Sequence, residues 1–337
     1  MGMVRGNGET QFGLMTKLMT NSVRFPRTWR VALCLPLAFS AGLSGASGSR
    51  AAERPPLSPT ALAVTPDGAT IFIACATADL VATFDPATGK MVRTTAVPAS
   101  PSGLAISGDG FRLYVTCAAP ASVVCIMDTV TGKLVGRLPA GHTAMSPVLS
   151  PDGKTLHVCN RFDNTVSFLD LIGGKEMGRV TVPREPVAAA VTPDGRRLLV
   201  ANHLQAGRAD TDFVAASISV VDTATRTVMK EIRLPNGSGL LRDVRISPDG
   251  RHAVVTHQLS RFHLPTTQVE RGWINTNAVT LIDLRAMQFI NTVLLDNIDA
   301  GAANPWAAAS DLLTHHGRKE GKSGTKKSPW RVKTERM

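Results

Sequence analysis

The sequence predicts an all-β fold, a β-propeller of four-stranded antiparallel blades, and three observations carry that expectation. A turn tetrapeptide recurs in register along the chain. Apolar runs flank every copy of it. A third short strand then closes on an aspartate each time. The tetrapeptides are Thr65-Pro-Asp-Gly68, Ser107-Gly-Asp-Gly110, Ser150-Pro-Asp-Gly153, Thr192-Pro-Asp-Gly195 and Ser247-Pro-Asp-Gly250, spaced by 42, 43, 42 and 55 residues.

The first two strands of each blade follow from the turn. Proline presets φ at the first turn position, aspartate tolerates the second, and glycine takes the left-handed position that other residues avoid. Before the turn stand runs such as Gly103-Leu-Ala-Ile106, and after it Ile71-Phe-Ile73, Leu113-Tyr-Val115, Leu156-His-Val158, Leu198-Leu-Val200 and Ala253-Val-Val255. Asp-Gly between two apolar runs is a hairpin signal. The third strand ends at Asp85, Asp128, Asp170, Asp222 and Asp283, and a Thr/Gly turn such as Asp85-Pro-Ala-Thr-Gly89 leads into the fourth. The aspartates of the tetrapeptides are read as turn residues rather than as calcium ligands or catalytic acids.

Tyr114-Val115-Thr116-Cys117 followed by Val123 to Asp128, and Val200-Ala-Asn202 with Ser217-Ile-Ser-Val-Val-Asp222, resemble the YVTN-repeat β-propeller family. The resemblance covers residues 59–298. The family's signature asparagine stands at Asn160 and Asn202, with Cys75, Cys117 and His257 in its place in the other blades. The family includes periplasmic propellers, the d-type haem domain of nitrite reductase and lactonase-like propellers, so the resemblance implies fold far more than chemistry.

Domain organisation follows the repeat. Residues 1–52 read as a signal peptide and its preceding segment: Arg24, Arg27 and Arg30 flank an apolar stretch from Val31 to Leu43, and small residues follow. The stretch is too short to span a bilayer comfortably, so no membrane span is expected after cleavage, and the location is periplasmic or secreted. Residues 53–306 form the propeller, with five clear blades and the start of a sixth at Gly301-Ala-Ala-Asn-Pro-Trp306, where seven blades are usual for the family. Residues 307–337 read as a basic, disordered tail, and loss of the pattern after Trp306 points to a truncated or frame-shifted product.

The formal charge of +11 does not signal nucleic-acid binding. Residues 1–50 carry six basic groups against one acidic, and residues 315–337 carry eight against two, which leaves the repeat region neutral. A basic face on the folded part is what nucleic acid would require.

Function is expected on one rim. The interval between hairpin and third-strand aspartates is 18 or 19 residues in the first three blades, 28 in the fourth and 34 in the fifth. Both insertions, Asn202 to Ala216 and His257 to Asn277, join second to third strands, so they gather at one end of the ring with the blade-to-blade connections. The candidate ligand- or partner-binding residues there are His142, Arg184, His203, Arg242, Asp243, His257, Arg261, His263 and Trp273.

The segment Arg261 to Asn277 resembles an insertion in YVTN propellers that accompany c-type cytochromes. That resemblance implies docking of a c-type cytochrome or a cytochrome-peroxidase-like domain. The chain has no Cys-x-x-Cys-His, so no covalent haem and no other cofactor is expected. The histidines have no recognised metal spacing, and no metal is assigned. No nucleophile elbow, His-Glu-x-x-His or phosphate loop is present, so a binding or docking module is favoured over an enzyme, with a lactonase-like hydrolase as the alternative. Cys75, Cys117, Cys125 and Cys159 are expected as buried free thiols, because Cys75 and Cys117 occupy equivalent positions in neighbouring blades.

Overall fold

The computed structural model describes residues 57–260, 275–296, 303–310 and 330–335. The export segment expected at 1–52 lies outside them. The described residues contain no helix, and hence none long and apolar enough to cross a membrane.

The architecture is the expected one, five antiparallel sheets of four strands. Blade 1 holds β1 (Pro59–Val64), β2 (Ile71–Cys75), β3 (Leu80–Asp85) and β4 (Lys90–Ala96). Blade 2 runs from β5 (Pro101–Ile106) through β6 (Arg112–Cys117) and β7 (Val123–Asp128) to β8 (Leu134–Pro139). Blade 3 comprises β9 (Ala144–Leu149), β10 (Thr155–Asn160), β11 (Thr165–Asp170) and β12 (Lys175–Thr181). In blade 4 come β13 (Pro186–Val191), β14 (Arg197–Asn202), β15 (Ser217–Asp222) and β16 (Thr227–Arg233). The fifth is taller, with β17 (Ser238–Ile246), β18 (His252–Ser260), β19 (Asn275–Asp283) and β20 (Gln288–Leu294). First strands pack in succession, β1 on β5, β5 on β9, β9 on β13 and β13 on β17.

A two-stranded sheet follows, β21 (Ala303–Ser310) with β22 (Trp330–Glu335), and β21 packs against β17 and β18 where the next first strand would stand. Two stretches within 307–337 are therefore strand. On the opposite end of the series, Leu62 and Val64 of β1 stay largely exposed, whereas their repeat equivalents Leu104 and Ile106 are half-buried under the neighbouring blade.

The tetrapeptide works as its chemistry dictates. Its aspartate Oδ1 accepts the backbone N–H two residues on, from Ala69, Phe111, Lys154, Arg196 and Arg251, at 3.0–3.1 Å. The third-strand aspartates cap their turns likewise, as Asp128 does for the Thr131 N–H at 2.9 Å. These bonds hold the turn carboxyls below the ordinary range, largest first through the Ser or Thr hydroxyl in the tetrapeptides.

The turns also stack blade on blade. A Cβ at Gly110 would lie 3.1 Å from Pro66, and at Gly250 3.2 Å from Pro193. Gly153 meets nothing, since Gly108 replaces proline in the blade before it. Between blades the core is aliphatic. Leu199, Ile218, Val220, Leu241 and Val244 fill the contact between blades 4 and 5, and Val115, Cys117, Cys125 and Met127 that between 1 and 2.

The signature asparagines staple second to third strands. Asn160 Nδ2 donates to Ser167 Oγ at 2.8 Å and Asn202 Nδ2 to Ser219 Oγ at 2.9 Å. All four described cysteines are free and buried. The Cys117 thiol donates to Cys125 Sγ at 3.9 Å, with no disulfide between them.

Candidate functional site

The rim is built where second strands end and first strands begin, because antiparallel order returns both to the same end of each blade. Arg161 follows Asn160 at the end of β10, and His203 follows Asn202 at the end of β14. The same repeat position thus supplies a cation in one blade and an imidazole in the next.

Glu185 joins them. It sits in the connection before Pro186 with φ at 49°, and its N–H donates to Asn164 Oδ1 at 2.7 Å. Its Oε2 accepts both Nε (3.1 Å) and Nη2 (2.9 Å) of Arg161, and Arg184 approaches the other oxygen at 3.8 Å. Arg184 also donates from Nη1 to the Gln205 carbonyl at 3.3 Å, tying the blade 4 insertion to the connection. Two guanidinium N–H donors converging on one carboxylate oxygen in a half-buried pair fix geometry as well as charge.

His203 is buried, and its Nδ1–H donates to the Leu241 carbonyl at 2.8 Å. That bond sets the tautomer and leaves the Nε2 lone pair uncommitted. Burial pulls the ring pKa down first. The Leu241 bond pulls it up, Arg242 and Arg161 push it down, and Glu185 offsets part of that. The imidazole is therefore neutral at pH 7, in a positive field.

Arg242 and Asp243 point to different tasks. The Arg242 guanidinium lies 4.7 Å over the Trp306 ring and has no carboxylate partner among the described residues. Burial and the nearby Arg161 both lower its pKa from the ordinary value. Asp243 is 6% exposed and structural: its Oδ2 accepts the Ala308 N–H and Arg245 Nε, each at 3.0 Å, which brackets β21 onto blade 5.

The remaining expected residues divide. His142 is half-buried, with its N–H on Asp163 Oδ2 at 2.8 Å and its ring edge-on to Phe162 at 5.2 Å. His257 is fully buried within β18, because the strands of blade 5 run on through Ser260 and resume at Asn275. Its Nε2 meets Thr280 Oγ1 at 2.8 Å and its Nδ1 the Gln258 carbonyl at 3.1 Å, and burial drives its pKa down to about 4. Arg261, His263 and Trp273 lie outside the described residues.

The structure thus brings Arg184, His203 and Arg242 together and adds Arg161, Glu185 and Trp306. Arg161 was visible as the repeat equivalent of His203, and Glu185 as the neighbour of Arg184; only the β21 position of Trp306 left no pattern to read. Chemically the cluster holds three guanidiniums against one carboxylate, beside a neutral imidazole and an indole face. It suits an anionic or acidic surface. Among the described residues no three His, Cys, Asp or Glu side chains converge to hold a metal ion.

No family model matches the sequence. A stretch of 95 residues, 28% of the chain, is 36% identical to hydrazine synthase subunit beta of Kuenenia stuttgartiensis. It spans about a quarter (24%) of that protein's length. The fold is similar to the solved structure of Kuenenia stuttgartiensis hydrazine synthase, with a TM-score of 0.69 and 26% identity, covering 80% of this chain and 74% of that one.

Proposed function

We propose that this chain is an exported, YVTN-type propeller that serves as a docking subunit in a larger redox assembly, with a c-type cytochrome or cytochrome-peroxidase-like protein as its partner. The observation that carries the reading is the rim cluster itself. Arg161, Arg184 and Arg242 stand together with one neutralising carboxylate, Glu185, and Trp306 offers an aromatic face beside Arg242, which has no carboxylate partner among the described residues. Arg and Trp beside one another are the residue types that concentrate binding energy at protein interfaces. The likeness to a named subunit of a multi-subunit enzyme supports the same reading. Charge of one sign on a rim steers an oppositely charged partner and makes association salt-dependent.

The test is retrieval of the tagged chain from its native cells at low salt, with the eluate examined for haem absorbance. A haem protein that co-purifies, and that dissociates as salt rises, is the expected result. Retrieval of the chain with no haem protein at any ionic strength would overturn the reading.

A further inference from the structure

The residue after the signature asparagine, or after its replacement, is Ala76, Ala118, Arg161, His203 and Gln258 in successive blades. Alanine suffices for the fold in two of the five. Blade 4 nonetheless buries an imidazole there, 5% exposed, and commits only one of its nitrogens to the protein. With Nδ1–H held by the Leu241 carbonyl, Nε2 carries a lone pair and has no partner among the described residues. Unlike both nitrogens of His157, it is not sealed from solvent. An acceptor so nearly buried and left unmade calls for a donor from outside the chain.

Arg242 presents the opposite need beside it. Leu241, whose carbonyl holds His203, directly precedes it in the chain. The Arg242 guanidinium is half-buried and meets the Trp306 ring, yet none of its N–H groups has an acceptor among the described residues. Arg161 gives Nε and Nη2 to Glu185 and keeps Nη1 uncommitted. The three side chains share one field: Arg242 and Arg161 both act on the His203 ring, and Arg161 acts on Arg242. Burial outweighs the bond from Leu241 and keeps that ring neutral at pH 7.

These requirements select a ligand class. A plain anion offers only acceptors, so it satisfies the guanidiniums and opposes the His203 lone pair. A cation does the reverse. An oxyanion that carries its own hydroxyl answers both at once, because its charged oxygens accept while its O–H donates. Hydrogen phosphate is such a species. Sulfate has its shape and charge without the proton.

We propose that the rim cluster binds hydrogen phosphate, with charged oxygens on the N–H groups of Arg242 and Arg161 and the hydroxyl donating to His203 Nε2. The inference rests on the same open cluster as the docking reading, and it makes phosphate a competitor of an acidic partner.

The experiment is isothermal titration of the purified full chain at pH 8 with phosphate, sulfate and methyl phosphate. All three are dianions there, and only phosphate keeps a hydroxyl proton. Saturable phosphate binding, at least tenfold tighter than either of the others, is expected. His203→Ala, which copies blades 1 and 2, is expected to bring phosphate down to the affinity of sulfate. Arg242→Gln is expected to weaken phosphate at least fivefold, and it carries the residue test if the histidine variant fails to fold. Absence of saturable phosphate binding, sulfate or methyl phosphate bound as tightly as phosphate, or binding untouched by both substitutions would overturn the proposal. No partner is present in this titration, so its failure is separate from a failure to retrieve a haem protein.

Discussion

The guanidinium of Arg242, on the first strand of blade 5, lies 4.7 Å over the indole of Trp306 on β21. The contact joins the repeat to the strand pair that follows it. Stacked pairs of this type contribute about 0.5–2 kcal/mol, more as they are desolvated. A double-mutant cycle with Arg242→Ala and Trp306→Ala, read by urea unfolding, is expected to return a coupling energy in that range. A coupling of zero would mean that the two side chains stabilise the fold independently.

Arg161 and Glu185 make the tighter link, between blades 3 and 4. Glu185→Gln removes the charge but keeps a carbonyl oxygen, leaving a half-buried guanidinium with a weaker acceptor. A loss of about 1–3 kcal/mol is expected in denaturant unfolding. Arg161→Lys should not restore it, because an ammonium cannot reproduce the planar pair of donors, Nε and Nη2, that meets Glu185 Oε2.

The turn glycines separate two costs. Gly195 and Gly153 both have positive φ, 72° and 69°, yet a Cβ at Gly195 would touch Pro151 at 3.4 Å and one at Gly153 would touch nothing. Gly153→Ala is expected to cost about 1 kcal/mol from backbone strain alone. Gly195→Ala should cost at least as much, and the difference reports the blade-to-blade stacking. Thermal unfolding of the two variants measures it.

Stability should fall in acid for an identifiable reason. His157 and His257 are both depressed by burial from the ordinary 6.5 to about 4. The unfolded chain then takes up protons that the folded chain refuses. The contribution is fully present above pH 6.5 and is lost as pH falls toward 4, by up to about 3 kcal/mol for each ring. Denaturant midpoints across that window should show the decline, and His157→Phe should remove about half of it.

How far the sequence could be read depended on the period. The turn Asp and Gly residues recur at fixed offsets and have one physical meaning, so five sheets and their strand order were legible from Thr65 to Asp283. His203, Arg184 and Arg242 were legible as rim residues for the same reason. His257 was not legible as a core residue, because nothing in an irregular stretch announces that β18 continues to Ser260. His157 was equally hidden: it stands in the second-strand slot of Phe72, Tyr114, Leu199 and Val254, but the lack of a hydrogen-bond partner for its ring among the described residues is a property of packing. Trp306 required knowing that β21 lies on β17.

The docking role is tested most directly at Arg242. The measurement is retention of a haem protein by the tagged chain in native extracts, wild type against Arg242→Glu, with circular dichroism confirming that both are folded. The expected result is a salt-sensitive haem partner on the wild-type chain and at least a tenfold loss on the variant. Equal retention by both, or no haem protein on either, would contradict the account.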